Sequence, residues 1–394
     1  MTGPLEGVLV ADFSRVLAGP LCTMNLADLG ATVVKVERPG AGDDTRAWGP
    51  PWSSRGSTYF ESVNRSKRSA ALDLKDPADH ALALELASRA DVLVENYRPG
   101  ALTRHGLGYE QVRALNPSVI YCSITGFGSD AGADLMGYDF VVQAIGGLMS
   151  VTGDPDGEPT KAGVALVDVL TGKDATIGVL AALAARGQSG QGCRVQVNLL
   201  SSLLSALVNQ AQGYLETGEA PRRMGNRHPS IAPYETLRCR DGLLAVACGN
   251  DGQFVRFASV VGAPELSSDS RFVTNTSRVA HRGELVEALE SCLATKDAGT
   301  WAELLTDAQV PAGKVGTIAD GVALAERLGL SPTVEVGAGH ARQVRQAVTF
   351  DPDLVARPTA PPGLGADTAA IRAWLAAPHG NALSTNHPTE QVHS

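Results

Sequence analysis

Val8-Leu-Val-Ala-Asp-Phe13, then Gly19 to Leu29, then Ala31-Thr-Val-Val-Lys-Val36 decide the fold. The first is an apolar run of strand length, the second a stretch that Pro20 is placed to open as a helix, and the third a Val-rich run closed by the turn Glu37-Arg-Pro-Gly40. Together they read as a βαβ unit. The alternation continues outward. A helix over Pro77 to Ala90, capped by Asp76, leads to a strand at Asp91-Val-Leu-Val-Glu95 and the turn Asn96-Tyr-Arg-Pro-Gly100; another strand follows at Ser118 to Ile124. Apolar strands joined by helices through right-handed crossovers predict a parallel sheet covered on both faces, of Rossmann-like architecture.

Beyond this region the Leu and Val spacing predicts a long helix over Val197 to Glu216, ended by Thr217-Gly-Glu-Ala-Pro-Arg-Arg-Met-Gly225. We therefore expect a large domain over 1–200, a linker helix and turn over 201–225, and a small α/β domain over 226–318. The small domain has strands near Glu235–Arg238 and Leu243–Cys248 and helices at Gln253–Val261 and Arg278–Ala294. The segment 319–376 is expected to return to the large domain, with β-prone pieces at Thr333–Val336 and Ala347–Phe350, and 377–394 to be a disordered tail.

Composition narrows the function. A chain of 394 residues with 44% hydrophobic content can bury a sizeable core, and its net charge of -9 argues against a nucleic-acid partner. No apolar run approaches the ~20 residues of a membrane helix, so no membrane partner and a cytoplasmic location are expected. Cys22, Cys122, Cys193, Cys239, Cys248 and Cys292 are scattered without the close pairing of metal motifs, so no metal is expected. Glu37 ends the second strand where a dinucleotide fold keeps its ribose-binding acid, but Ser14-Arg-Val-Leu-Ala-Gly19-Pro20 lacks G-x-G-x-x-G, which argues against a nicotinamide enzyme.

Asp168 is the candidate for chemistry. In Lys161-Ala-Gly-Val-Ala-Leu-Val-Asp168-Val-Leu-Thr-Gly172 an acid interrupts an apolar stretch just ahead of a small-residue helix over Thr171 to Ala185. Its carboxylate either caps that helix or is retained for function. Arg38, Lys75 and Arg104 lie in loops where open α/β sheets collect ligands, and each reads equally as an exposed charge.

Leu5-Glu-Gly-Val-Leu-Val-Ala-Asp-Phe13, Ala18-Gly-Pro20, Leu29 to Gly40, Asn64-Arg-Ser-Lys-Arg-Ser69, Leu72-Asp-Leu-Lys75, Val94-Glu-Asn-Tyr-Arg-Pro-Gly100 and Gly225-Asn-Arg-His-Pro229 occur in this order. Together they resemble the family III CoA-transferases, which include formyl-CoA and carnitine CoA-transferases and 2-methylacyl-CoA racemases. The resemblance implies a Rossmann-like large domain formed by both chain ends, a smaller α/β domain, and an interlocked homodimer. It implies no tightly bound cofactor, an acyl-CoA thioester as substrate and a carboxylic acid as acceptor.

By the same resemblance Asp168 is the nucleophile, ionised near neutrality, that passes CoA through a mixed anhydride and an aspartyl-CoA thioester. Arg38, Lys75 and Arg104 match contacts to the nucleotide end of CoA. Tyr138 and Asp139 match positions beside the nucleophile, Tyr138 being otherwise an aromatic packed at a helix start. Gly249, Asn250, Asp251 and Gly252 resemble a loop closing over the intermediate, although a plain turn explains them too. Backbone N–H groups there or near Ala18 are candidates for holding an oxyanion. Leu17 replaces the amide side chain of formyl-CoA transferase, which argues against a formyl or oxalyl substrate. His228 is a substrate-pocket candidate. The racemases resemble this chain with a His at the position of Tyr138, and a neutral Tyr is a poor base at pH 7, so transfer is favoured over α-proton exchange. A non-catalytic CoA-binding protein would need no Asp168.

Overall fold

The computed structural model describes residues 3–378 and 383. The chain forms two compact units, one built from 3–146, 163–211 and 331–378, the other from 147–162 and 212–330. These boundaries depart from the expected ones: 147–162 leaves the first unit, 201–211 stays in it, and the chain returns at 331. The expectation for the tail falls almost wholly outside the described residues.

The first unit holds a six-stranded sheet of β1 (Leu9–Asp12), β2 (Thr32–Glu37), β3 (Lys67–Ala71), β4 (Val92–Glu95), β5 (Ile120–Thr125) and β6 (Cys193–Asn198). The order is β3-β2-β1-β4-β5-β6 and every pairing is parallel. All strands therefore end on one edge. Successive crossovers move one way from β1 to β3, then return to place β4 on the other side of β1. The gap between the ends of β1 and β4 is thus the switch point, where loops diverge and leave a crevice.

Two strands of this sheet escaped the sequence reading. β3 is Lys-Arg-Ser-Ala-Ala, polar where a buried strand should be apolar, and β6 is Cys-Arg-Val-Gln-Val-Asn, whose last two residues fall in the predicted long helix. That helix is in fact two, Leu199–Ala206 and Val208–Thr217, broken where Val208 takes φ 40°. Helix α1 (Ala18–Asp28) follows β1, and α2 (Pro77–Arg89) is capped as expected by the Asp76 carboxylate, which accepts the N–H groups of Ala78 and Asp79. The core on one sheet face joins Ala11, Val34 and Leu93 to Leu86 of α2 and to Ile371 near the chain end.

Helices α3 (Asp139–Ile145) and α4 (Leu166–Ser189) complete the frame of the site. α4 buries a stripe of small residues, Thr171, Gly172, Ala175 and Thr176, against α1. A Cβ on Gly172 would lie 2.7 Å from the carbonyl oxygen of Ala18, so only glycine lets the backbones come this close. One turn before this crossing stands Asp168, and the N-terminal ends of α1 and α4 are thereby brought together.

The second unit has an antiparallel sheet of β7 (Tyr234–Arg238), β8 (Leu243–Ala247) and β9 (Ala312–Lys314), in the order β9-β8-β7, with helices around it. Its core gathers Leu244, Phe254, Phe257, Leu289 and Trp301. The predicted strand at Ala347–Phe350 is absent; Thr333–Val334 pairs instead with Gln343–Val344.

Candidate active site

A cavity of about 220 Å³ opens at the carboxyl edge of the parallel sheet, at the switch point. Its walls come from the loops after β1 (Arg15 to Ala18), β4 (Asn96 to Pro99) and β5 (Thr125 to Gly128), from 132–138, and from Asp168. The chain can fold back over β5 because Gly126 and Gly137 touch backbone to backbone; a Cβ on Gly137 would lie 2.5 Å from the Gly126 Cα.

Asp168 is not the cap that its sequence position suggested. α4 begins at Leu166 rather than Thr171, so Asp168 sits inside the first turn, and Ala165 at the N-cap supplies no side-chain bond. The cap arrives from α3. Asp139 Oδ1 accepts the N–H groups of Val167 (2.8 Å) and Asp168 (3.2 Å), and its Oδ2 accepts from Gln143 Nε2 at 2.6 Å. With Asp139 meeting this need, the Asp168 carboxyl is left half-buried in the cavity wall, and among the described residues no hydrogen bond to it is formed.

Its ionisation differs from expectation. Burial, and then the neighbouring charge of Asp139, push the Asp168 carboxyl up from 3.8 to about 7, so it is not fully ionised at neutrality. The helix N-terminus pulls the other way, by at most about 2 kcal/mol at a partly buried site. Tyr59, which the sequence did not single out, packs in one cluster with Leu17, Val63 and Val169. Burial and the charges of Asp168, Asp139 and Asp43 push its phenol up to about 12, so it stays a neutral O–H donor. No spacing rule points to Tyr59; its short helix, Thr58–Glu61, carries no motif.

Leu17 and Tyr138 line the same cavity as Asp168, while Asp139 lies buried behind it. Tyr138 stands at the start of α3 and is 59% exposed in this chain. Arg15 and Arg98 add guanidinium groups to the wall that sequence reasoning missed. Arg15 pairs with Asp44 at 2.9 Å and lies over the Tyr97 ring, yet its Nε is buried without a partner among the described residues.

The remaining candidates are elsewhere. Arg38, Lys75 and Arg104 are exposed, follow the ends of β2, β3 and β4, and do not line the Asp168 cavity. His228 and Gly249 to Gly252 belong to the second unit. There His228 stacks near Tyr234 and its Nδ1 accepts the Ser230 N–H. Asn250 caps helix α5 (Asp251–Val260) through Gln253 N, and Asp251 pairs with the buried Arg278 at 2.7 Å. Gly249 and Gly252 flank that helix start. Among the described residues no group of His, Cys, Asp or Glu is placed to hold a metal, and no helix is long and apolar enough to cross a membrane.

A parallel sheet with a carboxylate-bearing crevice at its switch point defines an α/β enzyme scaffold. CoA-transferase family III matches residues 5–368, and the chain belongs to that family. It is 45% identical to the succinyl-CoA:glutarate CoA-transferase of Mus musculus over 318 residues, 80% of this chain and 73% of the relative. It is 40% identical to the acetyl-CoA:oxalate CoA-transferase of Acetobacter aceti over 95% of this chain and 97% of the relative. The crystal structure of a CAIB/BAIF family protein from Brucella suis superposes with a TM-score of 0.87 at 41% identity, covering 95% of this chain and all of that one (100%). CoA transfer is therefore the chemistry to which the cavity is read.

Proposed function

We propose that Asp168 carries CoA from an acyl-CoA donor to an acceptor acid. The observation that carries this reading is a carboxyl in the cavity wall, free of hydrogen bonds among the described residues, whose capping duty Asp139 performs. Burial raises its basicity, and with it the nucleophilicity of the ionised form. An Asp168 oxygen attacks the thioester carbonyl, the C–S bond breaks, and CoA leaves as thiolate with a mixed anhydride formed. The thiolate then attacks Cγ of Asp168, releasing the donor acid as carboxylate and leaving an aspartyl-CoA thioester. The acceptor carboxylate repeats the two steps in reverse, regenerating Asp168. The N–H groups of Leu17, Ala18 and Gly19 find no backbone acceptor among the described residues, and Leu17 and Ala18 border the cavity, which supports them as donors to the tetrahedral oxyanion.

The acids are read as short dicarboxylates. Relatives named for glutarate and oxalate are 45% and 40% identical, and Arg15 and Arg98 supply cations for a second carboxylate. Arg38, Lys75 and Arg104 remain the proposed nucleotide contacts, at the same sheet edge. His228 and Gly249 to Gly252 remain proposed contributors to the acyl pocket. The Rossmann-like large domain and the homodimer belong to this reading as well. Exposed Phe140 (56%), Ile145 (65%), Ile177 (65%) and Val208 (68%) leave apolar surface for a second subunit to cover.

The decisive experiment is mass spectrometry after incubation with a panel including succinyl-CoA. An adduct of CoA less water on the peptide containing Asp168 is expected; its absence with every turned-over donor would sink the mechanism. A pH series adds to it. kcat/KM for acyl-CoA is expected to fall below about pH 7 as Asp168 protonates, and Asp139→Asn, by removing a neighbouring negative charge, should move that limb to lower pH. An unmoved limb would mean that another group titrates.

A further inference from the structure

Val16 takes φ 70°, a left-handed conformation that is rare and costly for a β-branched residue. It sits between Arg15 and Leu17 in the cavity wall, so a turn with an unfavourable backbone lines the cavity of Asp168. Such a conformation persists only where the surroundings over-determine it. Here they are visible bond by bond.

The Val16 N–H points between the two carboxylate oxygens of Asp43, at 3.3 Å from each. Asp43 is in turn paired with Lys35 Nζ at 2.9 Å, both side chains wholly buried, and accepts from Thr45 N and Oγ1. Lys35 Nζ also donates to the Ser14 carbonyl at 2.9 Å. From the opposite side of the switch point, the Asn96 amide grips Arg15 at both backbone groups: its Oδ1 accepts the N–H at 2.8 Å and its Nδ2 donates to the C=O at 2.7 Å. Backbone groups from Ser14 to Val16 are thus held by side chains, and the donors released from any such partner begin at Leu17.

We propose that Asp43, held by Lys35, and Asn96 are positioning residues for the transfer reaction, acting by locking Val16 in the left-handed region so that the Leu17–Ala18 backbone faces the reacting carbonyl. Asp43 does not line the cavity; its action passes through the Val16 peptide. The inference rests on the reading of the Asp168 cavity as the place of reaction.

The test is a coupling cycle in kcat at saturating acyl-CoA, on variants shown by circular dichroism to be folded at the assay temperature. Asp43→Asn and Asn96→Ala are each expected to lower kcat about 10–100-fold, as a misplacement near 1 Å can. Glycine adopts positive φ without a steric cost, so in the Val16→Gly background the same losses should shrink about tenfold. Equal losses in both backgrounds, or a change in KM with kcat intact, would overturn the proposal. Should Asp43→Asn fail to fold with Lys35 left unpaired, the cycle with the half-exposed Asn96 decides alone. The cycle is independent of the nucleophile's identity: turnover retained by Asp168→Asn would defeat the covalent mechanism without altering whether the Val16 couplings are found.

Discussion

Asp168→Asn is expected to abolish CoA transfer, a loss on the order of 10³–10⁶-fold as found when a covalent nucleophile is removed. Binding of acyl-CoA should persist, since the carboxamide keeps the shape of the cavity wall. The same substitution should make the protein more stable at alkaline pH. Burial and Asp139 hold the folded-state carboxyl at about 7 against 3.8 for an ordinary aspartate. Between those values the folded state binds more protons than the unfolded chain, so the contribution of Asp168 to stability is present in full below pH 3.8 and is lost as pH rises through about 7. An uncharged Asn does not incur that loss. For a half-buried group the gain at pH 8 is reduced by solvent to roughly 1–2 kcal/mol. Thermal midpoints of the two proteins should therefore separate at pH 8 and converge toward pH 4. Midpoints that differ equally at every pH would show that the carboxyl is not held against ionisation, and with it the electrostatic account of the nucleophile would fail.

This combination of a gain in stability with a loss of activity was only partly legible in the sequence. The alternation of Val8–Phe13, the helix opened by Pro20 and the run to Val36 predicted the parallel sheet because apolar period and turn chemistry are local properties. The carboxylate at Asp168 was visible for the same reason, as a polar residue out of place. Its freedom was not visible, because the partner that relieves it of capping, Asp139, lies on another helix, and only the packing of α3 against α4 brings the two together. Tyr59, Asn96 and Val16 were missed on similar grounds. A phenol shifted by burial and by charges remote in sequence, an amide bonded to another loop's backbone and a positive φ at a valine have no signature in residue spacing. Strand β3 failed for the opposite reason. Its first residues are charged, and the rule that buried strands are apolar has no term for a lysine whose partner lies on another strand.

That lysine leads to the largest expected effect on stability. Lys67 is wholly buried, and its Nζ reaches Asp12 Oδ2 at 3.1 Å, the Pro20 carbonyl at 2.9 Å and Asn64 Oδ1 at 2.9 Å. Asp12, at the end of β1, also binds the Ser14 and Thr23 hydroxyls. Burial alone would raise the Asp12 carboxyl; Lys67, Lys35 and the two hydroxyls outweigh it and hold the group at about 2. The pair therefore fastens the end of β1 to the first turn of α1, the junction that carries Leu17 and Ala18 to the cavity. Lys67→Met would leave Asp12 buried with a partner lost, and such a break costs about 3–5 kcal/mol. An exposed pair behaves otherwise: Arg113 and Glu110, 55% and 81% exposed and 4.0 Å apart, should contribute no more than about 0.5 kcal/mol, so Arg113→Ala serves as the control. Urea unfolding of Lys67→Met, Asp12→Asn and the double variant is expected to show the double variant losing less than the sum of the singles, since removal of both charges leaves neither unpaired. Additive losses would mean that the two groups act separately, and that the β1 to α1 junction is held by apolar packing rather than by its buried charges.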